Sequence, residues 1–98
     1  MEIISYKPIK EFIRKHADAR ASLNAWYAVA RKANWGSPAD VQQTFRTADK
    51  CGKCIIFDIG GTKYRLIIRI DYKRSTIYIK GIFKHSEYDR EKWKSHCS

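Results

Sequence analysis

The sequence predicts a single α+β domain in which helices cover one side of a mainly antiparallel sheet. Three observations carry this prediction. The first half of the chain places apolar residues at helical spacing, and the second half contains runs with the two-residue period of strands. The length of 98 residues suffices for one hydrophobic core but not for two, so residues 1–98 are expected to form one domain.

The first elements are predicted to be a short strand and a pair of helices. Residues 2–6 are a strand candidate, and residues 8–16 combine a proline in the first turn with apolar side chains at i, i+3, i+4 and i+7. Asp18 is expected to cap a second helix that extends to about Asn34. Two helices after one strand indicate a helical hairpin that packs on a sheet.

A third, short helix is predicted next. Ser37 suits the cap position, Pro38 the first helical position, and Asp40 follows the cap by three residues, as an acidic side chain often does. This helix is expected to run through Thr44. Residues 46–52 are polar and are predicted to form a connection without regular structure.

Three strands and a last helix complete the prediction. Residues 54–59 form the first strand, and the Gly-Gly at 60–61 indicates a tight hairpin into the second strand at Tyr64. A second turn at 71–75 leads into the third strand. A short C-terminal helix is expected over about 86–94. The three strands therefore form a meander.

Alternation in the last two strands predicts one apolar face and one cationic face. The shared core is predicted to contain Leu66, Ile68, Ile70, Ile77, Ile79 and Phe83 from the sheet, with Phe12, Leu23 and Trp26 from the helices. The opposite face is predicted to carry Arg65, Ile67, Arg69, Tyr78, Lys80 and Lys84.

The charge of the chain indicates an anionic partner. The net charge is +10, and it is uneven: residues 1–49 carry 8 Lys/Arg and 5 Asp/Glu, whereas residues 50–98 carry 12 and 5. The excess lies in the half that is predicted to form the sheet, which favours nucleic acid or an acidic protein segment as the ligand. A solvated basic surface is the alternative interpretation.

The number of cysteines and the first residues of the chain indicate the cellular compartment. Three cysteines are an odd number, which does not suggest a disulfide framework, and the first residues lack a secretory signal. A cytoplasmic protein with no membrane span is therefore expected. Cys51, Cys54, His96 and Cys97 could together hold zinc, but their placement makes this the less favoured interpretation, and we expect no metal site.

Candidate catalytic groups cluster after the third strand. His85 and Tyr88 are able to transfer protons, and Arg65 at the centre of the meander is able to stabilise phosphate charge. In RNA the 2′-hydroxyl can attack the adjacent phosphate, so the protein needs only to move two protons and to stabilise the charged transition state. The predicted phosphate-binding residues are Lys53, Lys63, Arg69, Lys80 and Lys84.

The order of elements and three sequence segments resemble the HigB branch of the RelE-like toxins. The segments are F-D-I-G-G-T-K-Y-R-L-I at 57–67, K-H-S-E-Y-D at 84–89 and W-G-S-P-A-D-V at 35–41. The resemblance covers nearly the whole chain. It implies a RelE-like fold and a cofactor-free, metal-independent mRNA endoribonuclease that acts on the ribosome. Arg65, His85 and Tyr88 best match the catalytic positions of that family, in which an early basic or His residue of the first meander strand corresponds to Lys53 or Cys54.

The resemblance also implies partners. These are a helix-turn-helix, HigA-like antitoxin, mRNA in the ribosomal A site, the ribosome itself, and operator DNA when toxin and antitoxin are bound together. Two other functions stay open on the residues alone: a basic RNA- or DNA-binding domain without enzymatic activity, and a protein-interaction module that binds an acidic segment.

Overall fold

The computed structural model describes residues 1–85 and Cys97, and these residues form three α-helices packed against one face of a five-stranded sheet. The elements are β1 (Glu2–Ile4), α1 (Lys7–Lys15), α2 (Arg20–Lys32), α3 (Pro38–Thr44), β2 (Asp49–Cys51), β3 (Cys54–Ile59), β4 (Tyr64–Asp71) and β5 (Thr76–Lys84). The strand order is β1-β5-β4-β3-β2, with β1 parallel to β5 and the other pairs antiparallel. The α+β class is confirmed, and the predicted C-terminal helix lies outside the described residues.

The starts of α1 and α3 follow local sequence signals. Pro8 lies in the first turn of α1, where its missing N–H costs no hydrogen bond. The Ser37 hydroxyl accepts a hydrogen bond from the Asp40 N–H at 3.4 Å, which satisfies one free donor at the start of α3. No helix in the described part of the chain is long and apolar enough to cross a membrane.

The predicted cap of α2 is wrong. Residues Ala17–Ala19 form a 3-10 turn, and α2 begins at Arg20 without a side-chain cap. The Asp18 carboxylate instead accepts a hydrogen bond from the Tyr64 hydroxyl at 2.7 Å and from the Lys63 ammonium at 3.3 Å. A tertiary contact to the sheet has thus replaced the local cap.

The polar connection at 46–52 is also only partly as predicted, because its last residues form the edge strand β2. Cys51 pairs with Cys54, so Gly52 and Lys53 form a tight hairpin loop between β2 and β3. Gly52 has a φ of +57°, a conformation that glycine adopts without a steric cost. Asp49 and Lys50 are exposed and Cys51 is partly buried, so this three-residue strand shows no apolar alternation.

The main core lies between the helices and the sheet. Its fully buried side chains include Ile9, Leu23 and Trp26 from the helical layer and Leu66 and Ile68 from β4. Phe12, Ile70 and Ile79 are partly buried at its margin, as the sequence predicts. The helices therefore cover one face of the sheet.

A β-bulge changes the predicted faces of β5. Ile68 pairs with Ile79 and Ile67 pairs with Gly81, so Lys80 is an extra residue without a partner on β4. Each residue after the bulge therefore points to the face opposite to the predicted one. Phe83, predicted to lie in the main core, pairs with Arg65 on the other face, and Lys84, predicted to lie with the cations, pairs with the core residue Tyr64.

Candidate functional site

The sheet face turned away from the helices is the candidate site, and we call it the outer face. Cross-strand partners share a face, and the register of β3, β4 and β5 places three rows of residues there. The rows are Asp58, Arg65 and Phe83; Ile56, Ile67 and Gly81; and Cys54, Arg69 and Tyr78. The outer face is therefore polar at both ends and apolar in its middle.

The first end is organised around Arg65. Its guanidinium forms an ion pair with the Asp58 carboxylate at 3.1 Å, and the exposed fraction of the two side chains is 14% and 31%. The same guanidinium donates hydrogen bonds to the carbonyl oxygens of Thr62 at 3.1 Å and Tyr64 at 3.2 Å. These bonds fix the orientation of Arg65, and Asp58 offsets part of its charge.

His85 is attached to the same end of the sheet. Its backbone N–H donates to the carbonyl oxygen of Lys63 at 3.1 Å, and its side chain is exposed. The carbonyls of Thr62 and Lys63 thus hold the Arg65 guanidinium and the His85 backbone, so one turn brings the two predicted catalytic residues to one place. Tyr88, the third of them, lies outside the described residues.

Two of the predicted phosphate-binding lysines are directed elsewhere. Lys63 forms an ion pair with Asp18 at 3.3 Å, on the helical side of the sheet. Lys84 is exposed but in register with Tyr64, whose ring contacts Phe12 and His16 of the helical layer. The predicted single row of cations along the outer face is therefore wrong at this end.

The apolar middle of the outer face forms a second, smaller core. It contains Ile56, Ile67, Cys54 and Cys97, with Phe83 packed against them. The ring of Phe83 lies directly over Gly81, where a β-carbon would come within 2.7 Å of it. A face that was predicted to be open to solvent is therefore partly covered.

A disulfide between Cys54 and Cys97 closes this second core, although the odd number of cysteines did not suggest a disulfide framework. The carbonyl oxygen of Cys97 also accepts a hydrogen bond from the Lys53 N–H at 2.8 Å. Two of the four ligands in the zinc interpretation are thereby joined to each other and offer no thiolate. Cys51 is a free thiol, and residues 1–85 with Cys97 contain no group of three or more His, Cys, Asp or Glu placed to hold a metal ion.

The second end of the outer face is an open, basic pocket. Arg69 and Tyr78 pair across β4 and β5, and the Lys80 ammonium lies 5.9 Å from the centre of the Tyr78 ring. These residues line a pocket of about 640 Å³ together with Ile70, Asp71, Tyr72 and Lys73. A smaller pocket of about 280 Å³ adjoins it, sharing Arg69 and Tyr72 and adding Lys50 and Lys53.

The structure thus divides the predicted site into two groups. Arg65 and His85 lie at one end, and Lys53, Arg69 and Lys80 lie at the other. The two arginines are four positions apart on β4, which is about 13 Å at 3.3 Å per residue. The apolar middle with Cys97 lies between the groups.

Sequence reasoning missed the roles of Asp58 and Tyr78. A two-residue loop at Gly60-Gly61 would place residue 58 opposite residue 63. The observed loop spans 60–63 and pairs Ile59 with Tyr64, and only this longer loop places Asp58 opposite Arg65. The pairing of Tyr78 with Arg69 likewise depends on the observed loop, 72–75, which pairs Asp71 with Thr76; the predicted turn at 71–75 would place Arg69 opposite Ile77. The bulge at Lys80 has no sequence signal.

Two tyrosines near these groups have perturbed acidities. The hydrogen bond to Asp18 raises the pKa of Tyr64, and the same bond lowers the pKa of Asp18. Burial, and secondarily the nearby Asp40 carboxylate, raises the pKa of Tyr72 beside the basic pocket. The two upward shifts keep the phenols of Tyr64 and Tyr72 neutral at physiological pH, and the downward shift keeps the Asp18 carboxylate ionised.

The chain was compared with known proteins. A model of the HigB toxin family, described as the RelE-like toxic component of a toxin–antitoxin system, matches residues 19–91. The mRNA interferase HigB of Escherichia coli O6:H1 (strain CFT073) is 29% identical over 93 residues, which are 92% of this chain and 90% of that protein. The mRNA interferase toxin HigB of Escherichia coli K12 is 24% identical over 92 residues, 91% of this chain and 88% of that one.

Proposed function

Since the chain belongs to the HigB family of RelE-like toxins, the toxic components of toxin–antitoxin systems, we propose that it is an endoribonuclease that cleaves mRNA. The observation that carries the proposal is its similarity to two proteins named mRNA interferases over about nine-tenths of both lengths. The basic outer face, with a fixed arginine and an adjacent histidine, supports the same chemistry.

The reaction proceeds by attack of the RNA's own 2′-hydroxyl oxygen on the neighbouring phosphorus. The new O–P bond forms as the bond to the 5′-oxygen breaks, which leaves a 2′,3′-cyclic phosphate and a 5′-hydroxyl. One proton must leave the 2′-hydroxyl and another must reach the 5′-oxygen. We assign these transfers to His85 and Tyr88, and we propose that the reaction uses no metal ion.

Arg65 stabilises the charge that develops on the phosphate. A guanidinium in a fixed orientation is able to donate two hydrogen bonds to phosphate oxygens, and it costs no reorganisation during the reaction. The bonds of Arg65 to Asp58 and to the Thr62 and Tyr64 carbonyls support this role because they hold the group before substrate arrives. Asp58 is then a positioning residue for Arg65.

The remaining cations bind the RNA backbone. Arg69, Lys53 and Lys80 lie together about 13 Å from Arg65, so they contact other phosphates of the same strand. Lys63 and Lys84 border the catalytic end from the helical side. We further propose that the ribosome presents mRNA in its A site to this surface, as the resemblance to the HigB branch of the RelE-like toxins implies.

Membership in the family implies an antitoxin partner. We propose that this antitoxin is a helix-turn-helix protein of the HigA type. In this proposal the pair of proteins binds operator DNA, whereas the toxin acts in the cytoplasm where ribosomes are found. A small helix-turn-helix protein encoded next to this chain is the expected genetic context.

The experiment that tests the proposal is induced expression followed by mapping of mRNA ends. The wild-type chain is expected to arrest growth and to produce cuts within translated codons, with 5′-hydroxyl groups on the downstream fragments. His85→Ala is expected to relieve the arrest and remove the cuts, because the loss of a proton-transfer group lowers rates by about 10²–10⁴-fold.

Arg14→Ala on α1 is the control, because it removes one exposed positive charge on the helical side. It is expected to arrest growth like the wild type. Growth arrest by the wild type without any mRNA cuts contradicts the proposal and favours a basic RNA- or DNA-binding domain. Full toxicity of folded His85→Ala contradicts the assignment of that residue.

A further inference from the structure

The open pocket at the second end of the outer face combines cationic side chains with an aromatic ring, and the binding of phosphate alone does not require such a ring. Three cationic side chains line it, Arg69, Lys73 and Lys80, together with the ring of Tyr78. The one carboxylate in the lining, Asp71, forms an ion pair with Arg74 at 3.8 Å. The pocket is therefore basic and also offers a flat aromatic surface.

Tyr78 is placed for stacking. It is half-buried on the outer face of β5, directly across from Arg69 on β4, and the Lys80 ammonium lies 5.9 Å from its ring centre. Tyr78 and Lys80 are two residues apart on β5, the spacing that places side chains on one face of a strand, and Lys80 has no partner on β4. An aromatic ring on a sheet surface, flanked by cations, is the arrangement on which unpaired bases stack in RNA-binding proteins.

The dimensions of the pocket suit one nucleotide. Its volume of about 640 Å³ lies within the range of small-ligand sites, roughly 300–1,000 Å³. The adjoining pocket contributes Lys50 and Lys53, which continue the positive charge along the sheet edge. A strand that leaves Tyr78 in that direction would keep its phosphates next to lysine side chains.

We propose that Tyr78, Arg69 and Lys80 form a nucleotide subsite in which one base of single-stranded RNA stacks on the Tyr78 ring while its phosphates contact Arg69 and Lys80. The inference rests on the proposed function, because it takes the cleaved mRNA as the ligand. The subsite lies about 13 Å along β4 from Arg65, so the base that it holds does not flank the cleaved phosphate. It positions the strand and selects its path over the sheet.

An acidic protein segment is the competing ligand, and the two differ in what they need from Tyr78. Carboxylates of a peptide pair with Lys80 and Arg69 and gain little from the aromatic ring. A base gains most of its contact area from that ring. Replacement of Tyr78 therefore separates the two ligands.

The test is a binding titration with a short, fluorescein-labelled oligoribonucleotide whose 2′-hydroxyls are all methylated. This probe has no nucleophile, so binding is measured without cleavage and its outcome is independent of the proposed activity. Tyr78→Ala is expected to weaken binding roughly 5- to 150-fold, the fold-change that corresponds to one lost stacking contact. Tyr78→Phe keeps the ring and is expected to bind like the wild type.

Lys80 offers a second variant that leaves the fold untouched, because its side chain is exposed. Lys80→Gln is expected to lower the slope of log affinity against log salt by about 0.7, the value for one phosphate contact with a single strand. Lys10→Gln is the matched control, since the Lys10 ammonium also lies 5.9 Å from a tyrosine ring, that of Tyr6, but on the helical side. It is expected to leave the slope unchanged.

Wild-type affinity of folded Tyr78→Ala, or no RNA binding by the folded wild type, overturns the subsite. Binding of a glutamate-rich peptide that depends on Lys80 but not on Tyr78, together with RNA binding that is insensitive to Tyr78→Ala, overturns it in favour of a protein segment. Cleavage of mRNA by the wild type on ribosomes is scored separately. If the subsite is overturned while the wild type cleaves mRNA, the proposed function stands. If the subsite variants behave as expected while the wild type does not cleave mRNA, the subsite stands as an RNA-binding site and the proposed function is wrong.

Discussion

Arg65 and Arg69 lie on the same strand and on the same face of the sheet, yet their surroundings differ. Arg65 is held by a carboxylate and two backbone carbonyls, and its side chain is 14% exposed. Arg69 lies in an open pocket beside Tyr78, and no ion pair involving it is found in the described residues. The first arginine is held in place by the protein itself, and we propose that the second pairs with a ligand.

The apolar middle of the outer face lies between the two arginines. The first prediction concerns how tightly it is packed. Ile67 is fully buried on the outer face, and its neighbour Ile68 is fully buried under the helices. Ile67→Ala is expected to lower the free energy of unfolding by roughly 2–5 kcal/mol, as is Ile68→Ala, because each leaves a cavity in a packed cluster. Urea unfolding measures both. A negligible cost for Ile67→Ala would mean that the middle of the outer face is open, and the two ends would then form one continuous surface.

The second prediction compares the two arginines directly. Arg65→Ala is expected to lower the cleavage rate by about 10²–10³-fold, the usual effect of losing a charge-stabilising donor. Arg69→Ala is expected to weaken RNA binding and its salt dependence while changing the rate at saturating RNA much less. Single-turnover cleavage of ribosome-bound mRNA separates the rate from the affinity. Equal losses of rate in the two variants contradict the division into a catalytic end and a binding end.

The third prediction concerns the disulfide that closes the middle. The Cys54–Cys97 bond joins residues 43 positions apart, and bonds that close loops of this size stabilise folded proteins by about 2–4 kcal/mol. Cys54→Ser is expected to lower the free energy of unfolding of oxidised protein by that amount. The matched control is Cys51→Ser, which alters the free thiol on the neighbouring strand and is expected to change little. Identical unfolding of the wild type with and without reductant contradicts the prediction.

The smallest expected effect is a pH dependence at the edge of the catalytic end. The Tyr64 hydroxyl, and to a lesser extent Lys63, lowers the pKa of Asp18 below its usual value near 3.9. The bonds of Asp18 therefore stabilise the protein above that value, and the stabilisation is lost as the pH falls through the lowered pKa of the folded state. The difference in unfolding free energy between wild type and Asp18→Asn should be present at pH 7 and shrink in acid. A difference that stays constant with pH indicates that the carboxylate charge is not involved.

Local sequence patterns predicted much of the fold. The Ser37-Pro38 start of α3, the strand Cys54–Ile59 and the Gly-Gly turn after it agree with prediction because each depends on neighbours in sequence. The candidate site was predicted less well. The Arg65 guanidinium and the His85 backbone bond to neighbouring carbonyls of one turn, whereas Lys63 and Lys84 lie on the helical side of the sheet. The position of Tyr78 beside Arg69 and in the basic pocket depends on the observed register.

The sequence by itself determined the class of the domain, the three-strand meander and the alternation that buries one side of β4. Only the tertiary structure decided the parallel pairing of β1 with β5, the bond of Asp18 to Tyr64, the disulfide to Cys97 and the bulge at Lys80. The physical reason is that periodicity assigns a residue to a face only while the register stays regular. One unpaired residue in β5 exchanges the faces of all residues after it, and contacts between distant segments fix where that residue lies.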